Sequence, residues 1–174
     1  VSFIVRPGET LGIVGESGSG KSTLIKAAMG LLGSDGKVTR GDIFYKGNSI
    51  LNMRPEELRK IRGPEMGMVF QNCSASLCPI RTIGDQLYEA MKEHHHINRK
   101  EVEYMAIDLL QKMNLSDGRR ILASYPFELS GGMNQRVGIV MAMLLKPDLL
   151  FADEPTSALD IIVQAQVVKE MKKL

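Results

Sequence analysis

A glycine-rich segment near the start of the chain restricts its possible folds more than any other feature. It fits the pattern G-x-x-x-x-G-K-[ST] through Gly15, Glu16, Ser17, Gly18, Ser19, Gly20, Lys21, Ser22 and Thr23. An apolar, strand-like run at residues 11–14 precedes it, and a run of helical composition at residues 21–29 follows. Because glycines let the backbone curl between a strand and a helix, this order predicts an α/β core.

The composition is that of a globular chain without a strong charge bias. The chain has 174 residues, of which 44% are hydrophobic and 24% are charged, and its formal net charge is +2. This excludes a disordered chain, and so small a charge gives no argument for a nucleic-acid partner. Two cysteines are too few for a disulfide framework, so a reduced, cytosolic setting is expected. No apolar run approaches the roughly 20 residues that a membrane span needs.

Hydrophobic periodicity predicts two α/β stretches separated by a helical one. Strands are predicted at residues 1–5, 11–14, 41–45, 66–70 and 149–152, and helices at residues 21–29, 55–61, 131–145 and 161–174. Residues 82–113 are helical in pattern, with a capping box at Asn98 and Glu101 and a buried face formed by Val102, Ala106, Leu109 and Met113. Ser130 is the predicted N-cap of the helix at residues 131–145.

The glycine-rich segment has the chemistry of a phosphate site. Its backbone N–H groups can point inward at phosphate oxygens, and the helix that follows adds the positive end of its dipole. Lys21 supplies a point charge for the β- and γ-phosphates, and the Ser22 hydroxyl is a Mg²⁺ ligand.

An acidic pair supplies the second half of such a site. Asp153 and Glu154 directly follow the apolar run at residues 149–152. Two adjacent carboxylates at the end of a buried strand are costly without a cation, which favours Mg²⁺ held by Asp153 through a water molecule. Glu154 is then placed to polarise an attacking water. Together with the glycine-rich segment, the pair predicts phosphoryl transfer to water.

A family resemblance becomes specific where Asp-Glu-Pro-Thr-Ser-Ala-Leu-Asp at residues 153–160 follows Leu-Ser-Gly-Gly-Met at residues 129–133. With these motifs the chain resembles the ATP-binding subunit of an ABC transporter along nearly its whole length. The resemblance implies a P-loop NTPase (RecA-like) core with an inserted helical subdomain. The implied division is residues 1–71 for the first part of the core, 72–137 for the helical subdomain and 138–174 for the second part of the core.

The resemblance also implies roles for residues outside the phosphate loop. Gln71 is similar to the Q-loop glutamine, which contacts Mg²⁺ and the attacking water. The segment that resembles the signature motif contacts ATP held by a second subunit, and its residues are Ser130, Gly131, Gly132, Met133 and Gln135. Asp160 closes a segment that resembles the D-loop at the dimer interface. Each ATP would therefore lie between two ATP-binding subunits arranged head to tail.

Residues 125–137 resemble a narrower branch, the importers of oligopeptides, dipeptides and nickel. In that branch Gln-Asp-Pro and then Ser-Leu-Asn-Pro often follow the Q-loop; here Cys73 and Cys78 replace the first proline and the asparagine. The implied partners are transmembrane permease subunits and, indirectly, an extracytoplasmic solute-binding protein, with no nucleic acid. The implied location is the cytoplasmic face of the membrane, and the transported substrate stays open.

Two elements of the family pattern are expected outside the chain. The switch histidine should follow the D-loop on a further strand, and His94, His95 and His96 all precede the acidic pair. The aromatic residue that stacks on adenine should lie upstream of Val1, so Phe3 is not assigned to it. The chain is therefore expected to be most of a larger cassette that is cut at both ends.

Two alternative functions remain open at this point. One is a soluble ABC-type ATPase of DNA repair or translation, although such proteins usually carry long coiled coils or tandem cassettes. The other is an ATP-binding module without turnover, against which Glu154 argues. The three adjacent histidines are predicted to be a solvated helix end, because neighbouring helical residues point in different directions. The two cysteines are predicted to be incidental, since two thiols do not complete a zinc site.

Overall fold

The computed structural model describes residues 1–33 and 36–173 and has a mixed α/β architecture. Its helices are α1 Lys21–Ala28, α2 Pro55–Ile61, α3 Cys73–Ser76, α4 Ile83–Lys92, α5 Arg99–Lys112, α6 Gly118–Ala123, α7 Gly131–Leu144 and α8 Ile161–Met171. Its strands are β1 Phe44–Tyr45, β2 Asn48–Ser49, β3 Met66–Val69 and β4 Leu149–Ala152. Short 3₁₀ turns lie at Ile50–Asn52 and Pro126–Glu128.

The chain forms two compact units, Val1–Leu51 and Asn52–Leu174. The first contains the glycine-rich loop with α1 and a short hairpin. In that hairpin β1 and β2 pair antiparallel around Lys46 and Gly47, whose φ angles of 48° and 82° are those of a primed turn. The predicted three-part division of the chain stays a prediction.

The strands predicted at residues 1–5 and 11–14 are wrong: the structure assigns neither helix nor strand to residues 1–20. An isolated extended segment is not a strand, because its N–H and C=O groups need a neighbouring strand to pair with. Their apolar side chains are also unpacked among the described residues, with Ile4 77% and Val14 95% exposed. The apolar pattern of a segment does not show whether a neighbouring strand is present to pair with it.

The second unit is built around α7, which is buried on most of its faces. Val137, Ile139 and Val140 on α7 have no exposed surface, and neither do Ile83 and Leu87 on the neighbouring helix α4. Close backbone approaches hold this core together. A Cβ at Gly67 of β3 would lie 2.9 Å from the carbonyl oxygen of Ala142 on α7. Helix α7 is therefore a fixed support for the segments that follow β3 and β4.

Strands β3 and β4 pair parallel, in register from Met66 opposite Leu149 to Val69 opposite Ala152. Parallel neighbours bring their carboxyl ends to one edge of a sheet, where α/β proteins commonly place functional side chains. The backbone N–H of Asp153 donates to the carbonyl oxygen of Val69 at 3.0 Å and so extends this ladder by one bond. The residues after Val69 and after Ala152 are thereby held together.

The helical predictions for this unit hold with small changes. The capping box at Asn98 is confirmed, with hydrogen bonds of 3.0 and 3.2 Å to and from Glu101. Ser130 is confirmed as the N-cap of α7. The buried face of α5 also includes Leu110, which has no exposed surface, while Leu109 is partly buried and packs against the same core. The last predicted helix runs to Met171, and Leu174 lies outside the described residues.

Candidate functional site

The glycine-rich loop in the first unit curls around its own lysine. The Lys21 ammonium donates to the carbonyl oxygens of Gly15 and Glu16, both at 2.8 Å. Gly18 and Gly20 have φ angles of 80° and 94°, which residues with a Cβ adopt only at a cost. A Cβ at Gly15 would lie 2.7 Å from the Ser19 hydroxyl oxygen, so a side chain there would displace this hydroxyl. The loop backbone therefore favours glycine at positions 18 and 20.

Helix α1 begins at this loop without a side-chain cap. Its N-cap residue is Gly20, and its first turn carries no acidic side chain. Its first N–H groups have no intrahelical partner, so the loop and the helix start form a cradle of donors with a positive dipole end. The hydroxyl residues Ser17, Ser19, Ser22 and Thr23 all lie within or beside this cradle. The chemistry of the donor set therefore fits a phosphate group.

Three polar side chains of the second unit follow the paired strands. Asp153 and Glu154 come directly after β4, and Gln71 comes two residues after β3. The Nε2 atom of Gln71 donates to Oε2 of Glu154 at 2.9 Å. Asp153 is 92% buried by its surroundings, with 8% of its surface exposed. A buried carboxylate beside an amide and a second carboxylate is the type of oxygen-rich donor set that Mg²⁺ prefers.

The backbone turns sharply at Glu154. Its φ angle is 47°, in the left-handed region that is uncommon for a residue with a Cβ. The N–H and the hydroxyl of Ser157 both donate to the Glu154 carbonyl oxygen, at 3.3 and 3.1 Å. From α7, Nε2 of Gln135 donates to the carbonyl oxygen of Pro155 at 2.9 Å. The turn that carries Glu154 is thus held from within and from the neighbouring helix.

The start of α7 exposes polar groups of the predicted signature segment. The Ser130 hydroxyl accepts from the N–H of Met133 at 3.3 Å, and both Ser130 and Gly131 are exposed. A Cβ at Gly131 would meet no atom within 4 Å, whereas one at Gly132 would lie 3.2 Å from the Ala158 carbonyl oxygen. Gly131 therefore leaves the helix start open, and Gly132 allows the segment after Glu154 to pack against α7.

Asp160 caps the last helix. Its carboxylate accepts from the N–H of Val163 at 3.0 Å, which starts α8. Gln164 on that helix donates to the carbonyl oxygens of Thr156 and Leu159, at 3.1 and 2.8 Å. The segment between the acidic pair and α8 is therefore fixed at both ends, and Asp160 itself is exposed.

Sequence reasoning missed three features of this region: the hydrogen bond from Gln71 to Glu154, the left-handed turn at Glu154 and the contact from Gln135 to Pro155. Gln135 is 3% exposed and lies on a helix whose other buried positions are mainly apolar. A polar side chain at a buried helical position needs a hydrogen-bond partner. This need was the signal in the sequence that could have indicated a contact of Gln135. Its predicted contact with a nucleotide stays a prediction, as do the roles assigned to the other site residues.

The interpretation of the three histidines as a solvated helix end and of the two cysteines as incidental stays a prediction. Among the described residues, no group of three or more His, Cys, Asp or Glu side chains is arranged to hold a metal ion. Burial lowers the pKa of His94, and the ring lies close to Gly63. Burial raises the pKa of the Cys73 thiol to about 11, so this thiol stays protonated and is a poor metal ligand.

Comparison with known proteins decides the family. A family model described as ABC transporter matches residues 1–157. The chain belongs to the ABC transporter family. This ABC transporter chain is 44% identical over 174 residues to the Oligopeptide transport ATP-binding protein OppD of Escherichia coli strain K12, a match that covers 100% of the chain and 51% of OppD.

A second relative of this ABC transporter chain is the Metal-staphylopine import system ATP-binding protein CntD of Staphylococcus aureus strain NCTC 8325 / PS 47. The identity is 45% over 169 residues, which covers 97% of the chain and 62% of CntD. The chain spans about half the length of the curated relatives it matches.

A solved ABC cassette has the same fold. The dimeric structure of a post-hydrolysis state of the ATP-binding cassette MJ0796 bound to ADP and Pi has a TM-score of 0.87 and 30% identity, and it matches 99% of this chain and 72% of that one. The predicted α/β fold of an ABC-type P-loop NTPase is thereby confirmed. No described helix of the chain is both long enough and apolar enough to cross a membrane.

Proposed function

We propose that this chain is the ATP-binding and ATP-hydrolysing part of an ABC importer of peptides or nickel. The observation that carries the proposal is the contact between Gln71 and Glu154 beside the buried Asp153, where the two parallel strands end. The relatives support it, because OppD is named for oligopeptide transport and CntD for metal-staphylopine import.

We assign the phosphates of ATP to the glycine-rich loop. The donors are the N–H groups of residues 15–23 and the Lys21 ammonium, which is held at the loop by two carbonyl oxygens 2.8 Å away. A lysine that is already placed at the loop loses little conformational entropy when it pairs with a phosphate. The helix dipole of α1 adds to the attraction for an anion.

Mg²⁺ is the cofactor that we assign to this chain. Ser22 of the glycine-rich loop would offer a hydroxyl oxygen to it, and Gln71 and Asp153 after the paired strands would offer amide and carboxylate oxygens, which are hard ligands of the kind that Mg²⁺ prefers. When bound, the ion would neutralise charge on the phosphate oxygens. Asp153 is suited to this role because its side chain is mostly buried, where a carboxylate is costly without a nearby cation.

Hydrolysis consumes ATP and water and gives ADP, phosphate and a proton. Glu154 accepts a hydrogen bond from the attacking water, whose oxygen bonds to the γ-phosphorus while the bond from that phosphorus to the β,γ-bridging oxygen breaks. The bridging oxygen leaves with ADP, one water proton stays on the product phosphate, and the other is released to solvent. Gln71 holds the Glu154 carboxylate through its amide N–H at 2.9 Å. The protein contributes positioning and charge, which are the main catalytic terms in phosphoryl transfer.

We further propose that two such subunits enclose ATP head to tail. The exposed start of α7, with Ser130 and Gly131, would offer N–H groups of its first turn to the γ-phosphate of ATP on the partner. The dimeric MJ0796 cassette supports the pairing of two such subunits. The remaining partners would be permease subunits at the cytoplasmic face of the membrane, with a solute-binding protein acting through them.

Phosphate release by the full-length protein tests the proposal. We expect hydrolysis of ATP that requires Mg²⁺ and stops when EDTA removes the ion, and that recovers when Mg²⁺ is added in excess. Nucleotide-free protein and protein with ADP serve as blanks. A purified, folded protein that binds ATP with Mg²⁺ and releases no phosphate contradicts the assignment of hydrolysis.

A further inference from the structure

Gln135 is a buried polar side chain to which the proposed reaction assigns no task in this chain's own site. Its side chain is 3% exposed, and its Nε2 atom donates to the carbonyl oxygen of Pro155 at 2.9 Å. Pro155 directly follows Glu154 in the chain. A buried amide needs such a partner, since an unmade hydrogen bond in the interior is costly. The bond therefore fixes the peptide next to the carboxylate that we assign to hydrolysis.

The Glu154 backbone requires external support. Its φ angle of 47° is unfavourable for any residue with a Cβ. The residue before a proline is in addition driven toward extended conformations, because the proline ring clashes with its backbone and Cβ. Backbone strain of this kind persists at functional sites only where the surrounding contacts over-determine the conformation.

Besides the ladder bond at Asp153 and the bond from Gln71 to the Glu154 carboxylate, two sets of hydrogen bonds hold the backbone from Glu154 onward. Within the turn, Ser157 donates to the Glu154 carbonyl oxygen through its N–H at 3.3 Å and its hydroxyl at 3.1 Å. These bonds move with the turn and cannot anchor it to the protein. Gln135 belongs to α7, whose Val137 and Ile139 are fully buried, so its bond ties the turn to the fixed core.

We propose that Gln135 is a positioning residue that holds Glu154 in the geometry needed for hydrolysis. This rests on the proposed ATPase function and differs from the nucleotide contact that the signature resemblance implies for the same residue. A positioning residue acts on the chemical step and not on substrate binding. Its loss therefore lowers kcat and leaves the KM for ATP nearly unchanged.

Gln135→Met in the full-length protein tests this role, because methionine fills a similar volume and cannot donate. We expect kcat to fall about 10- to 100-fold, as for a misplacement of about 1 Å in a catalytic group. The matched control is Gln86→Met. Gln86 is 8% exposed and its amide donates to the carbonyl oxygens of Cys78 and Arg81, both at 3.0 Å, away from Glu154. The control should lose stability and keep its kcat.

A second variant guards against misfolding. Gln135→Asn keeps a buried amide and shortens it by one methylene, so the amide no longer reaches Pro155, and kcat should again fall with KM kept. Adding Gln135→Met to the Glu154→Gln variant should leave its affinity for ATP unchanged, because Gln135 acts through Glu154.

Three results overturn the role of Gln135 while leaving the proposed function intact: an unchanged kcat in a folded Gln135 variant, a raised KM with kcat kept, or an equal loss of kcat in Gln86→Met. The second of these would indicate a nucleotide contact instead. Absence of hydrolysis in the wild type, with ATP binding preserved, contradicts the proposed function itself and is seen before any variant is made.

Discussion

The amide nitrogen of Gln71 lies 2.9 Å from Oε2 of Glu154 and donates a hydrogen bond to it. The two residues are 83 positions apart in the chain and meet because β3 and β4 pair in parallel register up to Val69 and Ala152. Neither strand alone creates this contact. The hydrogen bond joins the segment after β3, which leads into helix α3, to the Glu154 carboxylate after β4.

Loss of this contact should slow hydrolysis. Gln71→Met removes the donor and the amide oxygen, while Gln71→Glu keeps an oxygen for Mg²⁺ and loses the donor. We expect kcat to fall about tenfold or more in both variants, because positioned hydrogen bonds in a site contribute on this scale. The rate of phosphate release at saturating ATP measures kcat. Full activity in Gln71→Glu would show that the hydrogen bond to Glu154 is dispensable.

Tight packing between α3 and α7 should make one glycine of α7 irreplaceable. A Cβ at Gly138 would lie 2.4 Å from Sγ and 2.6 Å from Cβ of Cys73. Gly138→Ala should therefore lower the free energy of unfolding by about 1–3 kcal/mol, the usual cost of overpacking. Chemical denaturation measures the change.

Two further variants sharpen that measurement. Gly131→Ala is the control, because a Cβ there would meet no atom within 4 Å, and it should not destabilise the fold. Cys73→Gly removes the atoms that clash, so the double variant should be more stable than the sum of the two single changes predicts. Strict additivity would mean that Cys73 and Gly138 do not touch.

The two cysteines should differ in reactivity. Cys73 is 1% exposed and its burial raises the pKa of the thiol to about 11, whereas Cys78 is half-buried. Since the thiolate is the nucleophile, iodoacetamide at pH 8 should alkylate Cys78 first and reach Cys73 only on unfolding. Mass spectrometry after proteolysis assigns the label, and early labelling of Cys73 would contradict its burial.

The same raised pKa implies a loss of stability at high pH. Between the unfolded pKa of about 9 and the folded value of about 11, the unfolded chain has lost a proton that the native state keeps. The contribution of Cys73 to the free energy of unfolding is therefore present below pH 9 and falls by about 1.4 kcal/mol per pH unit between about pH 9 and 11. Over this range the free energy of unfolding of Cys73→Ser should fall less steeply with pH than that of the wild type.

Head-to-tail assembly should depend on ATP when hydrolysis is blocked. The full-length Glu154→Gln variant should elute as a dimer at saturating ATP and as a monomer without nucleotide. Ser130→Ala in the same background should weaken the dimer, because the helix start at Ser130 is the part of α7 that we assign to the partner's γ-phosphate. Monomeric elution of Glu154→Gln at saturating ATP would count against the enclosed nucleotide.

Much of the local structure could be predicted because it has local causes. The capping box at Asn98 and Glu101 and the cap at Ser130 follow from short-range hydrogen bonds between a side chain and nearby N–H groups. The phosphate loop likewise follows from the spacing of its glycines and of Lys21. These features require no knowledge of distant residues.

What the sequence did not reveal depends on distant partners. The strands predicted at residues 1–5 and 11–14 lack a neighbouring strand among the described residues, and apolar composition cannot supply one. The contacts from Gln71 to Glu154 and from Gln135 to Pro155 join segments that are 83 and 20 positions apart. The strained backbone of Glu154 persists because of such contacts, so it too is invisible in a local pattern.

Turnover by Glu154→Gln tests the central claim most directly. Phosphate release and ATP binding should be measured on one preparation of the full-length protein, with the wild type beside it. We expect the variant to bind ATP with unchanged affinity and to release phosphate at least about 100-fold more slowly, because the amide cannot polarise the attacking water as the carboxylate does. Phosphate release at the wild-type rate would contradict the account.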